Sequence, residues 1–136
     1  MESCRSCLIS QEIDPDVTRS GGIIELDGGW IVNHYGGSEG FLGWLSLQPR
    51  FHRMNLADLT ASEAASLGVH IRNVDQALRQ YWSARFEKDP IQRVYVAYFH
   101  ESVFGFSDSN AQSQEWHMHF HIIPRTVELG RVLRGF

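Results

Sequence analysis

Apolar positions in the first third of the chain come in short runs broken by glycine. Ile23-Ile24-Glu25-Leu26-Asp27 follows Gly21-Gly22, and Gly28-Gly29 leads into Trp30-Ile31-Val32-Asn33. Two β-rich runs separated by Asp-Gly-Gly predict a hairpin. Gly36-Gly37 interrupts again, and Phe41 to Leu47 predicts a third strand, ended before Pro49 because proline cannot donate to a ladder. A different period then takes over. Thr60-Ala61-Ser62-Glu63 has the form of a capping box, and Leu67, Ile71, Val74, Leu78 and Tyr81 recur at steps of four and three. That spacing predicts one amphipathic helix from Ala61 to Arg85, give or take its ends. Gln92 to Phe99 reads as a fourth strand and Glu115 to Ile123 as a fifth, closed by Pro124, with a Ser/Asn/Asp/Gly-rich loop over Glu101 to Gln114 between them. Strands, one long helix and further strands predict an α+β fold, an antiparallel sheet with the helix packed on it. Neither a repeat nor a linker divides residues 1–136, so a single domain is expected.

Composition narrows the function classes. The chain has 136 residues, 43% hydrophobic and 21% charged, with a formal charge of −4. No basic block is present, which argues against a nucleic-acid binder held by phosphate neutralisation. The longest purely apolar run, Val94 to Phe99, is six residues, against the roughly 20 needed to span a bilayer, so no membrane partner is expected. Met1-Glu2-Ser3-Cys4 lacks a basic-then-apolar leader pattern, and cytoplasmic residence is expected.

Histidine sets the chemistry. Three of the seven histidines fall in His117-Met118-His119-Phe120-His121-Ile122-Ile123. On a strand, His117, His119 and His121 share one face while Met118, Phe120 and Ile122 take the other, the core side. A polar strand face with incidental histidines is the bland reading; a chemical site is the sharper one. Same-face neighbours on a strand lie about 6.6 Å apart, so the outer pair span about 13 Å. Metal–nitrogen bonds are only about 2 Å, and one ion taking all three rings would be awkward. A division of labour along the strand follows. The two cysteines, Cys4 and Cys7, are too few for a disulfide scaffold; their i, i+3 spacing suits a metal, a redox pair or two buried thiols. No helix signal follows Cys7, as a thioredoxin-like motif would require.

His117 to Ile123, continued by Pro124-Arg125, resembles the signature of the histidine-triad (HIT) family. Gly43-Trp44-Leu45-Ser46-Leu47-Gln48-Pro49-Arg50-Phe51-His52 resembles the family's strand ending in Pro-basic-x-His, and Leu56 to Glu63 resembles its entry into the long helix. Trp30-Ile31-Val32-Asn33 is similar to the segment that bears the ribose-contacting residue, and Cys4-x-x-Cys7 to the N-terminal pair of zinc-carrying members.

The resemblance implies a HIT-like fold, a homodimer and a nucleotide substrate, a nucleoside phosphoramidate or a dinucleoside polyphosphate. It makes His119 the nucleophile that attacks the α-phosphorus, forming a nucleotidyl-histidine that water resolves, and His121 a donor to the phosphoryl or leaving group. His117 has two implied roles, in the triad and, with Cys4, Cys7 and His52, in a closed Cys₂His₂ set for structural zinc. Asn33 is the implied ribose contact, or else an ordinary strand-end Asn. Many members carry Gly-Gln-Ser/Thr before the triad; here Asn110 to Trp116 has no such glycine, and Ser113 or Gln114 would serve the phosphate. The rival expectations are a zinc-dependent hydrolase in which metal-bound water attacks, and a nucleotide-binding module without turnover. His34, His70 and His100 carry no assigned chemistry, His70 being expected on the helix surface, and Trp30, Trp44, Tyr95 and Phe99 are expected in the core or a pocket wall.

Overall fold

The computed structural model describes residues 4–13, 21–36, 40–99 and 116–132. Five strands, β1 (Ile23–Leu26), β2 (Trp30–His34), β3 (Leu45–Pro49), β4 (Arg93–Ala97) and β5 (Phe120–Arg125), form one antiparallel sheet in the order β1-β2-β3-β5-β4. Helix α1 (Arg5–Ser10) precedes the sheet, α2 (Ala61–Arg85) joins β3 to β4, and α3 (Val127–Val132) follows β5. This is the expected α+β arrangement of a sheet with one long helix on it.

Helix α2 begins where the capping box places it. The Thr60 hydroxyl accepts the Glu63 N–H at 3.1 Å, and the Glu63 carboxylate accepts the Thr60 N–H at 2.7 Å. Glu63 is buried and also takes the fork of Arg53, at 3.0 and 3.2 Å. Burial alone would raise its pKa; the Arg53 guanidinium and the Thr60 N–H more than offset that and hold the carboxyl below its usual range. Val74 and Leu78 of the helix close the core with Trp30, Val32, Leu47, Met118, Phe120 and Ile122. At the last turn Trp82 is buried and Tyr81 exposed, one position away from the expected stripe. His70 differs from expectation more sharply: it is buried, and its Nε2–H donates to the Asp27 carbonyl at 2.6 Å, anchoring the β1–β2 turn to the helix.

Both strand prolines lie inside strands rather than beyond them. Pairing of β3 with β5 covers only Leu45↔Ile122, Ser46↔His121 and Leu47↔Phe120. Pro49 therefore pairs with Trp30 of β2 alone and Pro124 with Val94 of β4 alone. Each occupies a stretch with a neighbour on one side, where a missing N–H is tolerated. The fifth strand consequently starts at Phe120, and His117 and His119 precede it, outside the ladder. Tyr95 and Phe99 are exposed, not core; the Phe99 ring nevertheless forms a wall against His121, centroids 5.9 Å apart, whereas Tyr95 is on edge strand β4, where its hydroxyl meets Arg125. Among the described residues, no helix is long and apolar enough to cross a membrane.

Candidate functional site

Strand register sorts the side chains into an apolar and a polar face. Val32, Leu47 and Phe120 stand in one row across β2, β3 and β5, on the side covered by α2. The adjacent row is Asn33, Ser46 and His121, all buried, on the opposite side. Alternation carries the same polar face along β3, from Trp44 just before it through Ser46 to Gln48. Met118, Phe120 and Ile122 are in the core, as the alternating triad predicts. Ser46 was not singled out by its sequence; the signal was its place two residues from Trp44 and two from Gln48.

The structure brings Cys4, Cys7, His52 and His117 together. One ligand atom from each lies within 4.8 Å of the others. Cys7 Sγ is 3.3 Å from His52 Nδ1 and 3.6 Å from His117 Nδ1, and Cys4 Sγ is 3.8 Å from His117 Nδ1. Zinc–sulfur and zinc–nitrogen bonds of tetrahedral geometry put S···N edges at about 3.6 Å, so the set fits a structural zinc ion. The chain reaches it through α1, contrary to the lack of a helix signal after Cys7. The Cys4 carbonyl accepts the N–H groups of Cys7 and Leu8 at 3.0 and 3.1 Å, which turns both thiols to one side. Gln48 pins this six-residue helix to β3, donating to the Ser6 carbonyl at 2.8 Å and the Ser10 hydroxyl at 3.2 Å. Burial, and then the neighbouring Cys4 thiol, push Cys7 up to about 12. A dication reverses that balance, since it binds thiolate and displaces the proton. Both cysteines are free of disulfide.

His117 is oriented for this role. Its other nitrogen, Nε2, lies 2.9 Å from the Pro49 carbonyl, which can only accept, so Nε2 carries the proton and Nδ1 a lone pair. Burial lowers its pKa to about 4, which favours the neutral ligand form.

Two residues on, the same logic gives a different outcome. His119 Nδ1 lies 2.9 Å from the His117 carbonyl and must donate to it, which leaves the lone pair on Nε2. Burial holds its pKa below the usual imidazole value, so the ring is neutral near pH 7. His121 stacks edge-on against it, centroids 4.8 Å apart. Here Nδ1 accepts the Trp44 indole N–H at 3.0 Å, so the proton of neutral His121 is on Nε2. Among the described residues that Nε2 is buried without a hydrogen-bond partner. Burial and then the neighbouring His119 lower the His121 pKa to about 4. An Nε2 lone pair on one ring and a buried N–H on the next suit attack on an electrophile that carries oxyanion oxygens.

Asn33 donates through Nδ2 to the His34 carbonyl at 3.0 Å, while its Oδ1 is buried and unpartnered among the described residues. His34 is tied down, donating through Nδ1 to the Tyr35 carbonyl at 3.0 Å and accepting the Gly43 N–H on Nε2 at 3.1 Å. Trp116 lies against His119, centroids 5.4 Å apart. Ser113, Gln114 and His100 lie outside the described residues.

No protein-family model and no curated protein sequence matches the chain. Solved structures do. A HIT family protein from Bacillus subtilis superposes with a TM-score of 0.62 at 18% identity, over 92% of this chain and 74% of that one. SMU.412c from Streptococcus mutans UA159 gives 0.61 at 18%, over 92% and 67%. A histidine triad protein from Clostridium difficile gives 0.51 at 15%, over 92% of each chain. The fold is that of the histidine-triad proteins.

Proposed function

We propose that the chain acts on nucleotides, as a hydrolase or nucleotidyl transferase at the α-phosphorus of a nucleoside phosphoramidate or dinucleoside polyphosphate. The supporting observation is the pair of opposite tautomers at His119 and His121. In this reading His119 Nε2 forms a bond to phosphorus as the bond to the leaving group breaks. Water then cleaves the phosphorus–nitrogen bond and restores the imidazole. His121 Nε2–H meets the developing oxyanion charge, Asn33 Oδ1 accepts from a ribose hydroxyl, and Ser113 or Gln114 contacts phosphate. A homodimer in the cytoplasm belongs to the same reading.

A second reading, a hydrolase whose turnover depends on zinc, is favoured by the Cys4, Cys7, His52 and His117 cluster. On geometry the metal side has the better support: four ligand atoms converge, whereas the covalent step rests on the tautomers of two rings. Cys4, Cys7, His52 and His117 would fill all four positions of a tetrahedral zinc, which would make a bound ion a support for His117 and for the chain that carries His119. A zinc-dependent reaction would need one of those ligands to give way.

One experiment separates these readings. Hydrolysis of adenosine 5′-phosphoramidate and of a diadenosine polyphosphate is measured for the native chain, for His119→Ala, and after zinc removal under conditions that keep the fold. Loss of turnover in His119→Ala, by about a thousandfold or more, with zinc content unchanged supports histidine nucleophilic catalysis. Native turnover in His119→Ala, abolished by chelation and restored by zinc, supports the metal reading. Binding of both ligands with no turnover of either indicates a binding module.

A further inference from the structure

The indole of Trp44 is placed to decide which nitrogen of His121 carries the proton. Its Nε1–H points at His121 Nδ1 from 3.0 Å. An indole can only donate, so Nδ1 can only accept. Trp44 is itself fixed. It is buried and stacks on Tyr35 with centroids 4.6 Å apart and planes 20° apart, and Phe41 packs against its ring. His121 is held edge-on by Trp44 and Tyr35, with Phe99 against its ring, and is 1% exposed. Flipping the imidazole by half a turn about Cβ–Cγ would set Cδ2 against the indole N–H and strand that donor in an aromatic pocket, at the cost of a buried hydrogen bond.

We propose that Trp44 is a positioning residue: its indole N–H locks His121 in the Nε2–H tautomer, making it a fixed single donor to an oxyanion placed against His119. The lock forbids the shuttle role that histidine often plays, because taking up a second proton at Nδ1 would set two donors against each other. Catalytic proton transfer to a leaving group, if it occurs, must then come from elsewhere than His121 Nδ1. The ligand class this suits is a phosphoryl or similar oxyanion with a non-bridging oxygen, which accepts but never donates. Its oxyanion partner rests on the nucleotide reading above; the tautomer does not.

Histidine-ring nitrogen NMR of the zinc-loaded full-length protein tests the lock directly. At pH 7.5, His121 should show an unprotonated Nδ1 and a protonated Nε2 with no averaging between tautomers. Trp44→Phe keeps an aromatic ring but removes the N–H, and the His121 nitrogens should shift towards the averaged positions of an exchanging imidazole, with His119 keeping its Nδ1–H pattern. A native spectrum with His121 protonated on Nδ1, or already averaged, overturns the proposal even if the variant does not fold. So does an unchanged His121 pattern in folded Trp44→Phe. Adding AMP should move the Nε2–H proton downfield; native tautomer as stated with no AMP response leaves the lock standing and counts against the nucleotide reading alone.

Discussion

The Pro49 carbonyl and His117 Nε2 meet at 2.9 Å, so the last residue of β3 fixes the tautomer of a metal ligand 68 positions away in sequence. The same strand thereby serves two sites. Its end orients His117 towards Cys4 and Cys7, while Trp44, just before its start, orients His121. Gln48 between them fastens α1, so the cysteines cannot drift from the strand. Preorganisation of this kind is what lets a small donor set bind a metal without further folding.

Cys7→Ser should reduce zinc below one per chain and lower the melting temperature. Losing a ligand that bridges towards both histidines removes at least about 2 kcal/mol of metal-linked folding energy, roughly 6–10 °C for a domain of this size. Metal analysis with thermal unfolding, in buffer with and without chelator, checks it. An unchanged melting temperature in chelator would show that the fold does not use the ion.

Asn33→Ala should weaken AMP binding while leaving inorganic phosphate binding unchanged. Its unpartnered Oδ1 is available to a hydroxyl donor, and one hydrogen bond is worth about 0.5–1.5 kcal/mol, or up to about tenfold in affinity. Calorimetry with both ligands reads the difference. Equal losses would assign Asn33 to loop shape, through its bond to the His34 carbonyl.

Acid stability should carry the signature of His121. Its folded pKa of about 4 lies below the unfolded value of 6.5, so between those pH values the unfolded chain binds a proton that the folded chain refuses. Stability from this group is therefore full above pH 6.5 and falls as pH drops, by about 1.4 kcal/mol per unit, until it levels off below pH 4. Urea unfolding of native protein and His121→Phe at several pH values should give curves that diverge in slope only within that window. Parallel curves would mean that the ring is not held neutral.

Gly43→Ala should be among the more damaging small substitutions. Gly43 has φ +88°, and a Cβ there would lie 2.6 Å from the Trp82 ring and 3.0 Å from Pro124. Strain in the left-handed region and the clash together should cost about 2–4 kcal/mol. Because the Gly43 N–H also holds His34, tryptophan fluorescence and the melting point should change together. A variant as stable as the native chain would contradict the packing of α2 against this turn.

Much of the architecture was legible because local and global signals agree. Thr60 and Glu63 mark the start of α2, and the alternation of His117 to Ile122 separates core from site without any knowledge of neighbours. What escaped the sequence depends on partners distant in the chain. His70 looks like a surface residue until the β1–β2 turn supplies the Asp27 carbonyl. Helix α1 is too short to declare itself by periodicity and is held by Gln48. Pro49 and Pro124 signal strand ends only if both flanks of each strand are paired, and here one flank of each is not. Trp44 reads as a hydrophobic wall; its N–H acquires meaning only when His121 arrives from 77 residues downstream.

The short ladder between β3 and β5 has a topological consequence. Beyond its three paired positions the regular ladder stops, and the two chains are joined instead by His117 Nε2, which donates to the Pro49 carbonyl at 2.9 Å, and by the Met118 N–H, which donates to the Arg53 carbonyl at 2.8 Å, with His52 between these two joints. Residues 4 and 117, separated by 113 positions, are already neighbours in the cysteine-histidine cluster, and a zinc ion held there would tie both chains to the N-terminal helix. In polymer terms such an ion would close loops of about the length of the whole chain, and a cross-link of that span removes unfolded-state entropy worth about 4–5 kcal/mol. It would do what a disulfide does in a secreted domain, with a bond that a chelator, and not a reductant, undoes.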